Sequence, residues 1–303
     1  MAMGPDSSRS VVACATVSPS FTARSRTCSA IWCASEVAVS YVPDGAVQLH
    51  PRAWLPASTD DDWATHPEYL DDTGNLVASI GGLLVERGDR ALLIDASVGP
   101  VSMPAQPGNP FGAIHGGALL DNLAALGRAP ATIEAVAITH LHLDHIGWAS
   151  AFEKVLFTEP EWTQRHLAEA AGTSRETLDA LAPRVRTVGD GEEIFPGVRV
   201  LFTEGHTVGH ASYVLTEGDQ RLIAFGDAMH SPIQIANPSW SAAPDHDTAR
   251  STEWRHRLVD ELAKPGTIGF GIHFADVVFG RVDTTGDRPV WSPVATLPDA
   301  GAA

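Results

Sequence analysis

Four side chains able to bind a metal, His140, His142, Asp144 and His145, fall within six positions directly behind the β-branched run Ile133–Thr139. The run is set among Ile, Leu and Gly and not in a polar tract. It constrains the fold more than any other feature, because a strand must deliver it to a place where further donors can join. Along an extended stretch side chains alternate with a period of two, which would put His140, His142 and Asp144 on one face. A turn after Leu143 would bring His145 in from a second direction. Three imidazoles and a carboxylate suit Zn²⁺ and other borderline first-row cations. All three cysteines, Cys14, Cys28 and Cys33, lie at the N-terminal end. They make a poor disulfide framework, and they leave only nitrogen and oxygen donors for a metal site in the body of the chain.

The charge balance narrows the partners. Lys and Arg total 20 against 37 Asp and Glu, a formal net charge of -17, which repels phosphate backbones and anionic membrane surfaces. No apolar stretch reaches the roughly 18 residues a membrane-spanning helix needs. The expected partner is a small-molecule substrate, with no nucleic acid and no membrane. The expected compartment is the cytoplasm, with export left open. Apolar loops near the N-terminal part would permit a homodimer.

Residues 1–35, rich in Ser, Thr, Ala and Cys, read as a disordered or transit-like extension ahead of one domain over 36–303. From Glu36 the pattern predicts strand, turn and strand around Asp44-Gly45, then an acidic loop or short helix over Thr59–Thr73. A hairpin follows, with Ser79–Val85 and Ala91–Asp95 flanking Gly88-Asp89. A helix is expected over 117–126, strands at Ile133–Thr139 and Lys154–Thr158, and helices across 160–183. Three closely spaced strands come next, at Val198–Phe202, Ala211–Leu215 and Arg221–Phe225. A helix over 248–263 would bury Trp254, Leu258, Val259 and Leu262, and Thr267–Gly271 would close the core. Two β-rich halves separated by helices suggest two packed sheets with helices outside.

The segment Thr139-His140-Leu141-His142-Leu143-Asp144-His145-Ile146-Gly147 resembles the His-x-His-x-Asp-His signature of the metallo-β-lactamase superfamily. Later matches stand in the family's order, each at the end of a candidate strand: Gly205-His206-Thr207-Val208-Gly209-His210, Phe225-Gly226-Asp227 and Gly271-Ile272-His273-Phe274. The resemblance spans roughly residues 75–275. It implies an α/β fold, the four-layer αββα sandwich, with two divalent metal ions, zinc first among them, at one edge of the sheets. Carried over position by position, His140, His142 and His206 would hold the first ion. Asp144, His145 and His273 would hold the second, and Asp227 would bridge them. His210 matches the family's non-ligand histidine and would orient a loop, and Asp95 is a further candidate for support behind the ligands.

The activity so implied is hydrolysis by a bridging hydroxide, with Asp144 as the catalytic group carrying a proton to the leaving group. A flavin-linked di-iron branch has a carboxylate where this chain has His142, and the lactamases proper usually carry a cysteine near Asp227. Nuclease members insert a large domain after the core motifs. What remains is hydrolysis of a small ester, lactone or organophosphate. Asp227-Ala228-Met229-His230, with Gln234, Pro238-Ser239-Trp240 and Asp245–Asp247, looks more like the branch of methyl parathion hydrolase. The homoserine-lactonase branch has a tyrosine where this chain has His230. Trp148, Met229, His230, Trp240 and Phe274 are candidate substrate-pocket residues, and Trp63 and Phe111 candidates for a lid. Two rival readings stay open: a thioesterase-type tailoring enzyme on a carrier-bound substrate, and a catalytically silent metal-binding scaffold.

Overall fold

Two sheets account for every named strand of the chain, whose computed structural model describes residues 30–34, 37–106 and 109–294. The first sheet holds β1 (Ala30–Ala34), β2 (Val37–Leu49), β3 (Leu76–Arg87), β4 (Arg90–Ile94), β5 (Ser102–Met103), β6 (Phe111–His115), β7 (Ala135–Ala137), β8 (Val155–Thr158) and β9 (Val185–Val188). Its order is β5-β6-β2-β3-β4-β7-β8-β9, with β1 paired to β2. The second holds β10 (Glu193–Phe195), β11 (Val198–Phe202), β12 (Ala211–Glu217), β13 (Gln220–Ala224), β14 (Thr267–Phe270), β15 (Phe279–Asp283) and β16 (Val290–Pro293), neighbours in chain order. Of the extension expected over 1–35, only Ala30–Ala34 falls among the described residues, where it forms β1.

Strand periodicity builds the layers. Leu83 and Val85, Leu92 and Ile94, and Ala135 and Ala137 point inward, against Val200, Tyr213, Leu215, Leu222 and Ala224 of the second sheet. Their neighbours Leu84, Leu93 and Val136 point outward, under helices that contribute Leu119, Leu123, Ile146 and Leu178. On the far side Ile223 and Phe225 pack beneath the helix Thr248–Leu262 through Leu258, Val259 and Leu262. The result is the expected order helix, sheet, sheet, helix. Each fully buried Leu or Ile contributes roughly 1.5–3 kcal/mol relative to exposure. The pairs β4–β7, β7–β8, β8–β9 and β13–β14 are parallel, so helical crossovers between them place the intervening loops at one edge.

Three expectations need correction. The turn at Asp44-Gly45 is a bulge inside one continuous strand, since β2 pairs with β3 from Val37 to Leu49 with a register shift between Pro43 and Gly45. Asp44 turns inward there, because its carboxylate accepts hydrogen bonds from Ser97 Oγ, the Gly117 and Leu119 amides and Trp148 Nε1. Trp63 is a core residue and not part of a lid: it is buried, and its Nε1 donates to Ser58 Oγ at 2.8 Å. Trp254 is only half-buried, with Arg250 and Arg257 over its ring, and Arg255 takes the buried place beside it. Among the described residues no helix is long and apolar enough to cross a membrane.

Candidate metal centre

The donors gather where the loops leave the sheets. His140 and His142 follow β7, and the helix Leu143–Ile146 starts with His142 as its N-cap. The chain therefore stops being extended after His142, earlier than the sequence pattern suggests, and Asp144 and His145 leave the helix toward a different group of donors. His206 comes from the loop between β11 and β12, Asp227 from the turn Gly226–Ala228 after β13, and His273 from the loop after β14.

Two groups form. His140, His142, His206 and Asp227 make one and Asp144, His145 and His273 the other, with the ligand atoms of each group within 4.8 Å of one another. In the first, His142 Nδ1 lies 2.9 Å from His140 Nε2 and 3.0 Å from His206 Nε2. Asp227 joins both groups. Its Oδ2 lies 3.3 Å from His206 Nε2 and 3.6 Å from His140 Nε2, while its Oδ1 lies 3.1 Å from His145 Nε2 and 3.0 Å from His273 Nε2. Asp144 closes the second group, 3.8 Å from His145 and 3.7 Å from His273. Zn–N bonds of about 2.0–2.1 Å imply ligand separations near 3.3 Å around a tetrahedron, so this spacing fits a first-row cation. The buried atoms His145 Nε2 and Asp227 Oδ1 have no hydrogen-bond partner, as expected of ligand atoms.

Groups behind the rings select the nitrogen that faces inward. His273 Nδ1 donates to the Ser79 carbonyl at 2.8 Å, which leaves Nε2 with its lone pair. His145 Nδ1 meets Asp95 at 2.9 Å, and His206 Nδ1 meets Asp245 at 2.9 Å; such partners fix tautomer and ring angle. Asp95 also receives the Thr139 amide at 2.8 Å, and it does so from a left-handed backbone with φ of 62°, a conformation Asp tolerates better than most residues. His210 Nδ1 donates to the Thr203 carbonyl and its Nε2 accepts from the Asp227 amide at 3.0 Å. It thus orients the loop that carries Asp227.

Burial, with the His206 ring beside it, pushes His142 down to about 3. Burial and His206 likewise take His210 to about 3. Both directions favour the neutral ring, in which His142 keeps a lone pair for a cation while that of His210 accepts the Asp227 amide. Burial also opposes a proton on His206, but hydrogen bonds to Asp227 and Asp245 outweigh it and raise that ring to about 9. Burial works to raise Asp227, yet the surrounding rings, His273 and His145 foremost, hold it well below the usual carboxylate range.

Beside the donors opens a cavity of about 590 Å³, with His142, Asp144, Asp227, His230 and His273 at its floor. Val47, Leu49, Trp54, Ala78, Phe111 and Ile114 stand in its walls. His230 is the one of the five candidate pocket residues that lines it, its Nε2 3.1 Å from Asp227 Oδ2. Trp148 packs toward the helices outside the first sheet and donates to Asp44. Met229 and Phe274 are buried under the second sheet, and Trp240 packs against the cluster around Trp54 and Ile233. Tight turns send the neighbours of a ligand to the opposite side. Phe111 does line the cavity.

Sequence reasoning missed Glu161. Its buried carboxylate accepts from the Leu141 amide at 2.8 Å, Thr207 Oγ1 at 2.8 Å and the Gly209 amide at 2.9 Å, and so joins two donor loops. The only local signal is Thr158-Glu159-Pro160-Glu161, a helix start.

A model of the Metallo-beta-lactamase superfamily matches residues 83–270. An N-acyl homoserine lactonase from Bacillus sp is 30% identical over 151 residues, covering 48% of this chain and 59% of that relative's length. The chain thus matches about three-fifths of the curated relative. Among solved structures, AidC, a dizinc quorum-quenching lactonase in complex with a product, superposes with a TM-score of 0.75 at 18% identity, covering 89% of this chain and 98% of that one. The hydrolase AbOPH of the beta lactamase superfamily gives a TM-score of 0.73 at 23% identity, covering 90% and 99%. At these identities the likeness is one of fold.

Proposed function

The chain belongs to the metallo-beta-lactamase superfamily, and on that premise we propose that it hydrolyses uncharged esters or lactones with a bulky apolar acyl group, using two divalent metal ions, zinc first among them. The observation that carries this reading is the apolar cavity whose floor is formed by both donor groups. Among the described residues that line it none is Lys or Arg, and the carboxylates there are Asp144 and Asp227. An anionic substrate, such as a phosphorylated carrier thioester or a glutathione conjugate, would bring charge into that space with no cationic side chain to meet it. An apolar acyl chain gains about 25 cal/mol per Å² buried there. The lactonase relative supports the same reading.

Divalent cations in the two groups would supply Lewis acidity and a nucleophilic water at neutral pH. The remaining tasks fall to this chain's residues. Asp227 spans both groups with one oxygen each, so it fixes their separation. His230, at the cavity floor, is placed to hydrogen-bond a substrate oxygen. Asp144, with a side chain 25% exposed toward the cavity, takes the proton given up by the attacking water. It passes that proton to the departing oxygen as the acyl C–O bond breaks.

The test is a substrate panel on protein of measured metal content: N-acyl homoserine lactones, p-nitrophenyl esters of increasing chain length, a phosphotriester and an acyl-glutathione. Lactone or ester turnover that rises with chain length supports the proposal. Preference for the acyl-glutathione would favour the thioesterase reading, and no turnover by fully metallated protein would favour the silent scaffold. Asp144→Asn should lower kcat by about 10²–10⁴-fold. Full turnover by that variant with both ions retained would remove Asp144 from its role.

A further inference from the structure

His206 is held by more than its loop requires. The main chain around it is already pinned, because the Gly205 carbonyl accepts from the Asp247 amide at 2.8 Å and the His206 carbonyl from the His246 amide at 3.1 Å. Glu161 pins the same loop at Thr207 and Gly209. None of these contacts sets the angle of the ring. That is left to Asp245, whose Oδ1 meets His206 Nδ1 at 2.9 Å while its Oδ2 meets Arg255 Nη1 at 3.0 Å.

Arg255 is itself 1% exposed, an unusual place for a guanidinium. Three of its four other N–H donors go to the Pro238 carbonyl at 2.7 Å, Ser241 Oγ at 2.6 Å and Thr252 Oγ1 at 3.0 Å. The fork therefore cannot swing, and neither can the carboxylate bound to it. Of the other donor rings, His145 is likewise backed by a carboxylate, Asp95, His273 by a main-chain carbonyl and His140 by the Thr139 hydroxyl.

We propose that Asp245, clamped by Arg255, is a positioning residue that presents the Nε2 lone pair of His206 and so sets the affinity of the His140–His142–His206 side of the centre. The proposal rests on the metal-centre reading. Asp245→Asn isolates it. A guanidinium offers only donors, so the amide oxygen turns to Arg255 and the amide NH₂ faces His206 Nδ1. That favours the tautomer with its proton on Nε2, which has no lone pair to give a cation.

The experiment is zinc competition against a chromophoric chelator, starting from metal-free full-length protein, with thermal unfolding of the same metal-free samples. In Asp245→Asn one of two zinc dissociation constants should rise about 10–100-fold, the other staying within about threefold. On a His206→Ala background the same change should add less than about threefold, since its route is through that ring. Arg255→Lys, which keeps the charge and loses the fork, should weaken the same step by a smaller factor, and it carries the test alone if Asp245→Asn does not fold. A purely structural role would lower metal-free stability and leave both constants unchanged. That result overturns the proposal, as does an equal rise in both constants or full additivity with His206→Ala. Wild-type protein that takes up no zinc overturns the metal-centre reading as well.

Discussion

Replacing Gly147 by alanine should unseat the helix that carries Asp144 and His145. A Cβ built there would lie 2.0 Å from the Val98 carbonyl carbon, 2.1 Å from its oxygen and 2.5 Å from the Gly99 nitrogen. All three are main-chain atoms, so no rotamer change relieves the clash. Carbon pairs prefer about 3.5–4.0 Å, and the two segments must part by roughly 1.5 Å. Three hydrogen bonds bridge that seam: Gly147 N–H to the Ser97 carbonyl at 2.6 Å, Trp148 N–H to Ala96 at 2.9 Å and Ala96 N–H to His145 at 2.8 Å. At about 0.5–1.5 kcal/mol each, their loss costs about 1.5–4.5 kcal/mol. That corresponds to a fall in Tm of roughly 3–18 °C for a domain of this size. Thermal unfolding of metal-free Gly147→Ala checks the stability, and zinc stoichiometry checks the donors, with the ion on the Asp144–His145–His273 side lost first. Gly189→Ala, where nothing lies within 4 Å of the new carbon, is the matched control. A Gly147→Ala protein melting within about 1 °C of wild type and binding its full metal complement would refute the steric argument.

Two further outcomes follow. Phe111, 37% exposed and with its ring centroid 5.2 Å from that of Trp54, forms one wall of the cavity. Phe111→Ala should raise KM for long-chain esters about 5–30-fold, from roughly 1–2 kcal/mol of lost apolar contact, with acetyl esters little changed; equal effects on both would place the acyl chain elsewhere. Zinc uptake by metal-free protein should release protons. His206, depressed by burial but carried to about 9 by Asp227 and Asp245, holds a proton near pH 7 that must leave before the ring can ligate. Affinity should therefore climb with pH up to about 9, and a calorimetric titration in buffers of different ionisation heat reads both effects. An affinity flat from pH 7 to about 9 contradicts that assignment.

The clustering of the donors was legible because metal chemistry favours a local code. His140, His142, Asp144 and His145 cluster in sequence, and His206, Asp227 and His273 each follow an apolar strand. The supports behind them have no such code. Asp95, Glu161 and Asp245 act on rings or loops through contacts spanning 20 to 50 positions. Helical period assigned the buried stripe of the long helix to Trp254, Leu258, Val259 and Leu262, whereas the stripe observed is Ser251, Arg255, Leu258, Val259 and Leu262. A charged residue on that face reads as a fault until its partner Asp245 is known. The pocket aromatics failed for a related reason, since sequence adjacency to a ligand says little about direction after a sharp turn. The real walls come from β2, β3 and β6, which lie well upstream of the donors.

The donors divide unevenly between the sheets: His140, His142, Asp144 and His145 issue from the first, and His206, Asp227 and His273 from the second. Neither half owns a complete coordination sphere, so a cation seated between them would act as a rivet across the sandwich. A folding species with only one sheet in place would have no competent centre. On the hydrolase reading proposed above, turnover would report on docking of the two halves, and any stress that prises them apart would abolish it before either sheet melts.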